Sequence, residues 1–143
     1  MTQDNLGAAV RALSRAHRGR LAQLLAPHGL HPGQDVLLLA VWDTPGLRQA
    51  ALAAVLGVEP PTVTRMVQRL ERGGLIERRP DPHDGRVMLV YPAPRSRLLE
   101  GTVRRAWKDV DHLMIHQLGE TDSARLCRLA TAAVAALETS DPA

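Results

Sequence analysis

The chain has 143 residues, 45% of them hydrophobic and 23% charged, with a formal net charge of +3. That length suits one domain with a real core. A single cysteine, Cys127, excludes an intrachain disulfide framework, and no apolar run approaches the length of a membrane-spanning helix.

Residues 6–25 place Leu6, Val10, Leu13, His17, Leu21 and Leu24 on one helical stripe, with Arg11, Arg15 and Arg18 on the other side. "APHGLHPG" (26–33) breaks this helix. A second helix is predicted over roughly 33–42, with Val36, Leu37, Leu39 and Ala40 giving it a buried character. "DTPG" (43–46) reads as a turn, and residues 47–56 as a short, Ala-rich third helix that Gly57 ends. In "VEPPTVTRMVQRLERG" (58–73), Pro60 and Pro61 fall where a first turn has spare N–H groups, so they open a fourth helix. Its apolar stripe is Val63, Met66, Val67 and Leu70. Gly73-Gly74 ends it.

Two short apolar runs follow, Leu75-Ile76 and Val87 to Tyr91, around a tip expected to carry Arg78, Arg79 and Arg86. A long helix is predicted over about 95–118, with a seam from Val103 through Trp107, Val110 and Leu113 to Leu118. "GETDS" (119–123) reads as a break with Thr121 or Asp122 as N-cap, before a last helix at about 123–138.

Helix, tight turn, helix, then a basic hairpin is the order of a winged helix-turn-helix. The fold class expected is mainly α with a small β-hairpin wing. The fourth helix suits a major groove, and the hairpin an adjacent backbone or minor groove. Thr62, Thr64, Arg65, Gln68 and Arg69 are then the polar groups offered to DNA, with Arg48 and Gln49 as backbone contacts and Arg79, Asp84 and Arg86 on the wing. A solvated helix face is the plainer reading of the same residues taken alone; the helix–Gly–helix unit before them and the basic wing after them favour DNA. Arg79 and Arg86 rank above Arg78, whose neighbour Glu77 is expected to neutralise it. Net charge adds little. Seventeen of the eighteen cations are Arg, which GC-rich coding alone would produce. Aromatics at 2%, with no Phe, count against platforms that stack single-stranded bases.

On "GLHPGQDVLLL" (29–39) and "LRQAALAAVLGVEPPTVTRMVQRLERGGLIERRPDPHDGR" (47–86), flanked by long helices, the chain resembles the multiple-antibiotic-resistance regulator (MarR) family. The resemblance implies one domain over 1–143, with a DNA-binding lobe at 33–92 and dimerisation helices at 1–30 and 95–143. It implies an obligate homodimer that represses promoters and releases double-stranded DNA on binding a small molecule. It also implies that the Asp84–Arg86 pair braces the wing and that Arg86 reaches the minor groove. Two departures stand out. Val90-Tyr91-Pro92-Ala93-Pro94 replaces the usual Leu-Thr-Gly exit from the wing, and Gly85 stands where a charged residue is usual. By the resemblance, His17, Arg20 and Trp42 would line the family's effector pocket and suit an anionic aromatic molecule, while a hydrogen-bonded core histidine is the plainer reading of His17.

His112 and His116, four apart, stack on one helix face, and some relatives sense zinc with such a pair. His28, His31 and Asp35 are the partners on offer. Two histidines on a solvated face is the plainer reading, so no cofactor is expected. Cys127, among Ala and Leu, is expected to be a buried, inert thiol. No P-loop, nucleophile elbow or paired catalytic carboxylates point to an enzyme. A dimeric helical interaction protein without DNA binding is the remaining alternative. The N-terminal twenty residues lack an apolar signal core, so a cytoplasmic protein is expected.

Overall fold

The computed structural model describes residues 5–139. The chain divides into two compact units, Met1–Ala106 and Trp107–Ala143. No described helix is long and apolar enough to cross a membrane.

The first unit opens with α1, Leu6–Leu25, whose N-terminus is capped by the Asn5 side chain accepting from the Ala8 N–H at 3.0 Å. Only its C-terminal end enters the core, through Leu21 and Leu25; Leu6, Val10 and Leu13 of the predicted stripe are exposed. After a 3-10 turn at Ala26–His28 comes α2, Gln34–Asp43. Its buried apolar residues are Leu37, Leu38, Val41 and Trp42, where the sequence suggested Val36, Leu37, Leu39 and Ala40. The helix is apolar nearly all round, so periodicity alone does not select the face.

Leu47–Arg48 is a two-residue strand, β1, where a helix start was expected. Gly46 lies at φ 86°, its N–H donates to the Val90 carbonyl, and the Tyr91 hydroxyl lies 3.0 Å from where a Cβ would stand. That turn delivers Leu47 and Arg48 to the edge of β3, Met88–Pro92. The strand β2, Ile76–Pro80, pairs with the other edge of β3, giving an antiparallel sheet in the order β1-β3-β2. Ile76 faces Pro92 and Pro80 faces Met88 in the register. Between the strands lie α3, Gln49–Leu56, and α4, Pro60–Arg72, joined at Gly57 with φ 65°. Leu52, Val63, Val67, Leu70, Ile76 and Val90 meet in a core that removes nearly all their surface from water. Arg78 and Arg79 are therefore strand residues and not part of the tip.

The long helix α5 is Arg97–Leu118, after a 3-10 turn at Pro94–Ser96. Ser96 is fully buried; its hydroxyl accepts the Trp42 indole N–H at 3.1 Å and donates to the Ala93 carbonyl at 2.8 Å. Val103 and Ala106 are buried.

In the second unit, Gly119 alone, at φ 83°, separates α5 from α6, Glu120–Thr139. The predicted break at 119–123 is thus one residue, and Thr121 and Asp122 lie inside the first turn of α6, not at its cap. One left-handed glycine suffices to end the first helix, so no longer polar loop is needed. Leu113, Leu118, Leu129, Val134 and Leu137 are exposed, and so is Cys127. The buried-thiol expectation fails because Ala and Leu neighbours on α6 do not cover the sulfur within one chain.

Candidate nucleic-acid interface

Pro60 and Pro61 start α4 without a side-chain cap; the Glu59 carbonyl accepts from the Thr62 and Val63 N–H groups at 3.0 and 3.2 Å. Val63, Val67 and Leu70 bury one stripe, which turns Arg65, Gln68 and Arg69 outward as exposed side chains. The Thr64 hydroxyl donates back to the Pro60 carbonyl at 3.1 Å, so it can offer an outside group only its oxygen and methyl. Arg65 reaches Thr62 Oγ1 at 3.4 Å. A small cleft of about 190 Å³ beside this face is lined by His31, Thr62, Arg65, Met66 and Arg69.

A larger cleft of about 400 Å³ lies among α3, α4 and the wing, lined in part by Gln49, Pro60, Thr64, Arg78 and Arg86. Arg48 is exposed at the start of α3, as a backbone contact requires. Gln49 lines the cleft, and its Oε1 is shut from solvent without a hydrogen-bond partner among the described residues.

The wing tip is built by two aspartates. Asp81 Oδ1 accepts from the His83 N–H at 2.8 Å, while the Asp81 N–H donates to the Val87 carbonyl at 2.8 Å. Asp84 Oδ1 accepts from the Arg86 backbone N–H at 3.1 Å and from its Nε at 3.2 Å. The Arg86 side chain remains 93% exposed, so Asp84 aims it without covering it.

The pairing expected on β2 is corrected. Glu77 binds Arg79, at 2.9 Å, and Arg78 is held by Glu71 of α4 through two bonds of 3.1 and 2.9 Å. Successive strand residues face opposite sides, so 77 and 79 share one face and 78 takes the other, under α4. The Arg79 guanidinium also lies 4.3 Å from the Tyr91 ring centroid. The hydrogen bond from Arg78 holds the Glu71 carboxyl below its usual range, and the same bond raises Arg78. Arg95, which sequence reasoning missed, donates to the Gly73 carbonyl at 2.8 Å and so closes the C-terminus of α4.

The other sequence candidates lie elsewhere. Trp42 is 5% exposed and bonded to Ser96, His17 is half-buried, and Arg20 is exposed beside Gln23. None of these three lines either cleft described above. His28, His31, His112 and His116 are exposed and Asp35 is buried. Among the described residues no group of three or more His, Cys, Asp or Glu is placed to hold a metal ion.

Residues 30–88 match the model of the MarR family. The HTH-type transcriptional regulator TtmR of Methylorubrum extorquens (strain PA1) is 33% identical over 94 residues, covering 66% of this chain and 46% of that protein. The chain spans less than half the length of the curated relatives it matches. The crystal structure of MarR covers 96% of this chain and 94% of its own, with a TM-score of 0.81 and 26% identity. CouR from Rhodococcus jostii RHA1, bound to p-coumaroyl-CoA, shares the fold with a TM-score of 0.81 and 23% identity, covering 97% of this chain and 96% of its own. The curated relatives bear the names of transcriptional regulators. The central lobe of this chain thus matches the MarR family, and its winged-helix fold is that of MarR structures.

Proposed function

We propose that the chain is a sequence-specific DNA-binding transcriptional regulator. The observation that carries this reading is the pairing, on one lobe, of an outward polar face on α4 with an exposed, aimed cation at Arg86 on the wing. Arg65 and Gln68 are assigned to base edges in the major groove. Arg48, Arg69, Arg79 and Arg86 are assigned to backbone and minor groove, with Asp84 and Thr62 as supports.

The regulator acts as a homodimer. Exposed Leu6, Val10 and Leu13 on α1, and Leu129, Val134 and Leu137 on α6, are apolar surface that a second copy would cover. It acts as a repressor, leaving DNA when a small molecule binds, as the family implies. An anionic molecule with an aromatic part would suit the cation of Arg20 and the imidazole of His17 on α1.

Selection of bound duplexes from a randomised pool tests the reading. The expected product is a pseudo-palindrome with half-sites about 10 bp apart. Arg65→Ala or Gln68→Ala should cost the selected duplex more than scrambled DNA. A protein that enriches no sequence would refute the proposal.

A further inference from the structure

Glu71 is the one acidic residue of α4, whose other charged residues are Arg65, Arg69 and Arg72. A carboxylate there opposes phosphate unless it serves another purpose. It accepts both arms of the Arg78 fork, at 3.1 and 2.9 Å, from the first strand of the wing. A bidentate guanidinium–carboxylate pair fixes orientation as well as distance. Such a tie matters at this place. The chain between α4 and β2 is Gly73-Gly74-Leu75, with Gly74 at φ 73°, and β2 is an edge strand of a three-stranded sheet. Two glycines give that link little stiffness of its own.

We propose that Glu71 and Arg78 form the joint that holds the wing in a fixed place against the recognition helix, so that Arg78 serves DNA binding by position and not as a phosphate contact. This rests on the DNA-binding reading, which it deepens. Arg86 at the tip and Arg65 and Gln68 on α4 must reach their targets together. The joint sets their spacing before DNA arrives, and the ordering cost is then not met on binding.

The test uses the full chain and a duplex that the wild type selects from a randomised pool. By charge alone, Glu71→Ala should tighten binding, since it removes an anion from the DNA-binding lobe. The joint requires the opposite, a loss of about three- to tenfold, the net size of an ordinary hydrogen bond, since solvent screens this partly exposed pair. Arg78→Gln should cause a similar loss and leave the salt slope unchanged. Reversing the pair, Glu71→Arg with Arg78→Glu, should restore most of the affinity. Glu71→Ala binding as tightly as wild type overturns the proposal. So does a fall in slope of about one unit per subunit in Arg78→Gln, which marks a direct phosphate contact. A second measurement needs no DNA. Spin labels at Arg72→Cys and Gly85→Cys, with Cys127→Ser, report the distance from helix to wing tip. The distribution should broaden in Glu71→Ala and narrow again in the reversed pair. An unchanged distribution overturns the joint. A wild type that selects no duplex, with the broadening still present, overturns only the DNA reading.

Discussion

Arg86→Ala isolates the part of binding that comes from the wing tip. The side chain is 93% exposed and pairs with Asp84, itself at the surface, so the fold should lose almost nothing. Unfolding free energies should agree within about 0.5 kcal/mol. DNA binding should change in a specific way. Each phosphate neutralised contributes about 0.9 to the slope of log affinity against log salt, so a two-fold dimer loses about 1.8. Between about 50 and 200 mM salt, a fourfold change, the wild-type advantage should then shrink by about twelvefold. Fluorescence anisotropy across a salt series, on selected and scrambled duplexes, measures this directly. The ratio of the two affinities should stay near its wild-type value, because the minor groove and backbone carry little base information. Truncation also leaves the Asp84 carboxylate facing DNA, so Asp84→Asn with Arg86→Ala removes that repulsion and shows the contact alone. Parallel salt plots for wild type and variant would refute the assignment of Arg86 to phosphate. A relaxed base preference would refute its role as anchor.

Ser96→Ala leaves the buried Trp42 indole N–H without its acceptor. Urea unfolding should show a loss of about 1–3 kcal/mol, and recovery in Trp42→Phe with Ser96→Ala would confirm the pair. Gly46→Ala forces a Cβ to within 3.0 Å of the Tyr91 hydroxyl at φ 86°, and should destabilise by about 1–3 kcal/mol on calorimetry. Because folding depresses the Glu71 pKa, the stability it adds is present above the unfolded value near 4.5 and is lost as pH falls through the folded value. Acid unfolding followed by circular dichroism should therefore be less steep below about pH 4.5 in Glu71→Ala. In sizing runs the wild type should elute at about twice 15.6 kDa, and charged substitutions at Leu6 and Val10 should shift it toward the monomer.

The order of helices was legible from local rules. Leu6–Leu25 follows from a stripe at helical spacing, and Pro60–Arg72 from two prolines at a first turn and glycines at the end. The wing followed from two short apolar runs around a Pro, Asp and Gly tip, and the Asp84–Arg86 pair from the resemblance to the MarR family. What failed were pairings between elements. Glu77 and Arg78 are neighbours in the chain but point to opposite faces of β2. Arg78 shares the face of Ile76, which is buried, and that alternation was the available signal that it lies under α4. Gln49 and Arg95 meet their surroundings only through the tertiary fold, one in a cleft and one at the end of a helix 22 residues away in sequence. The strand at Leu47–Arg48 exists because Gly46 turns the chain onto β3, and two residues carry no periodicity of their own. Local sequence determines which segments coil or extend, since those preferences act within a few residues. Which charge meets which is decided when the segments pack, since an ion pair depends on distance in space and not along the chain.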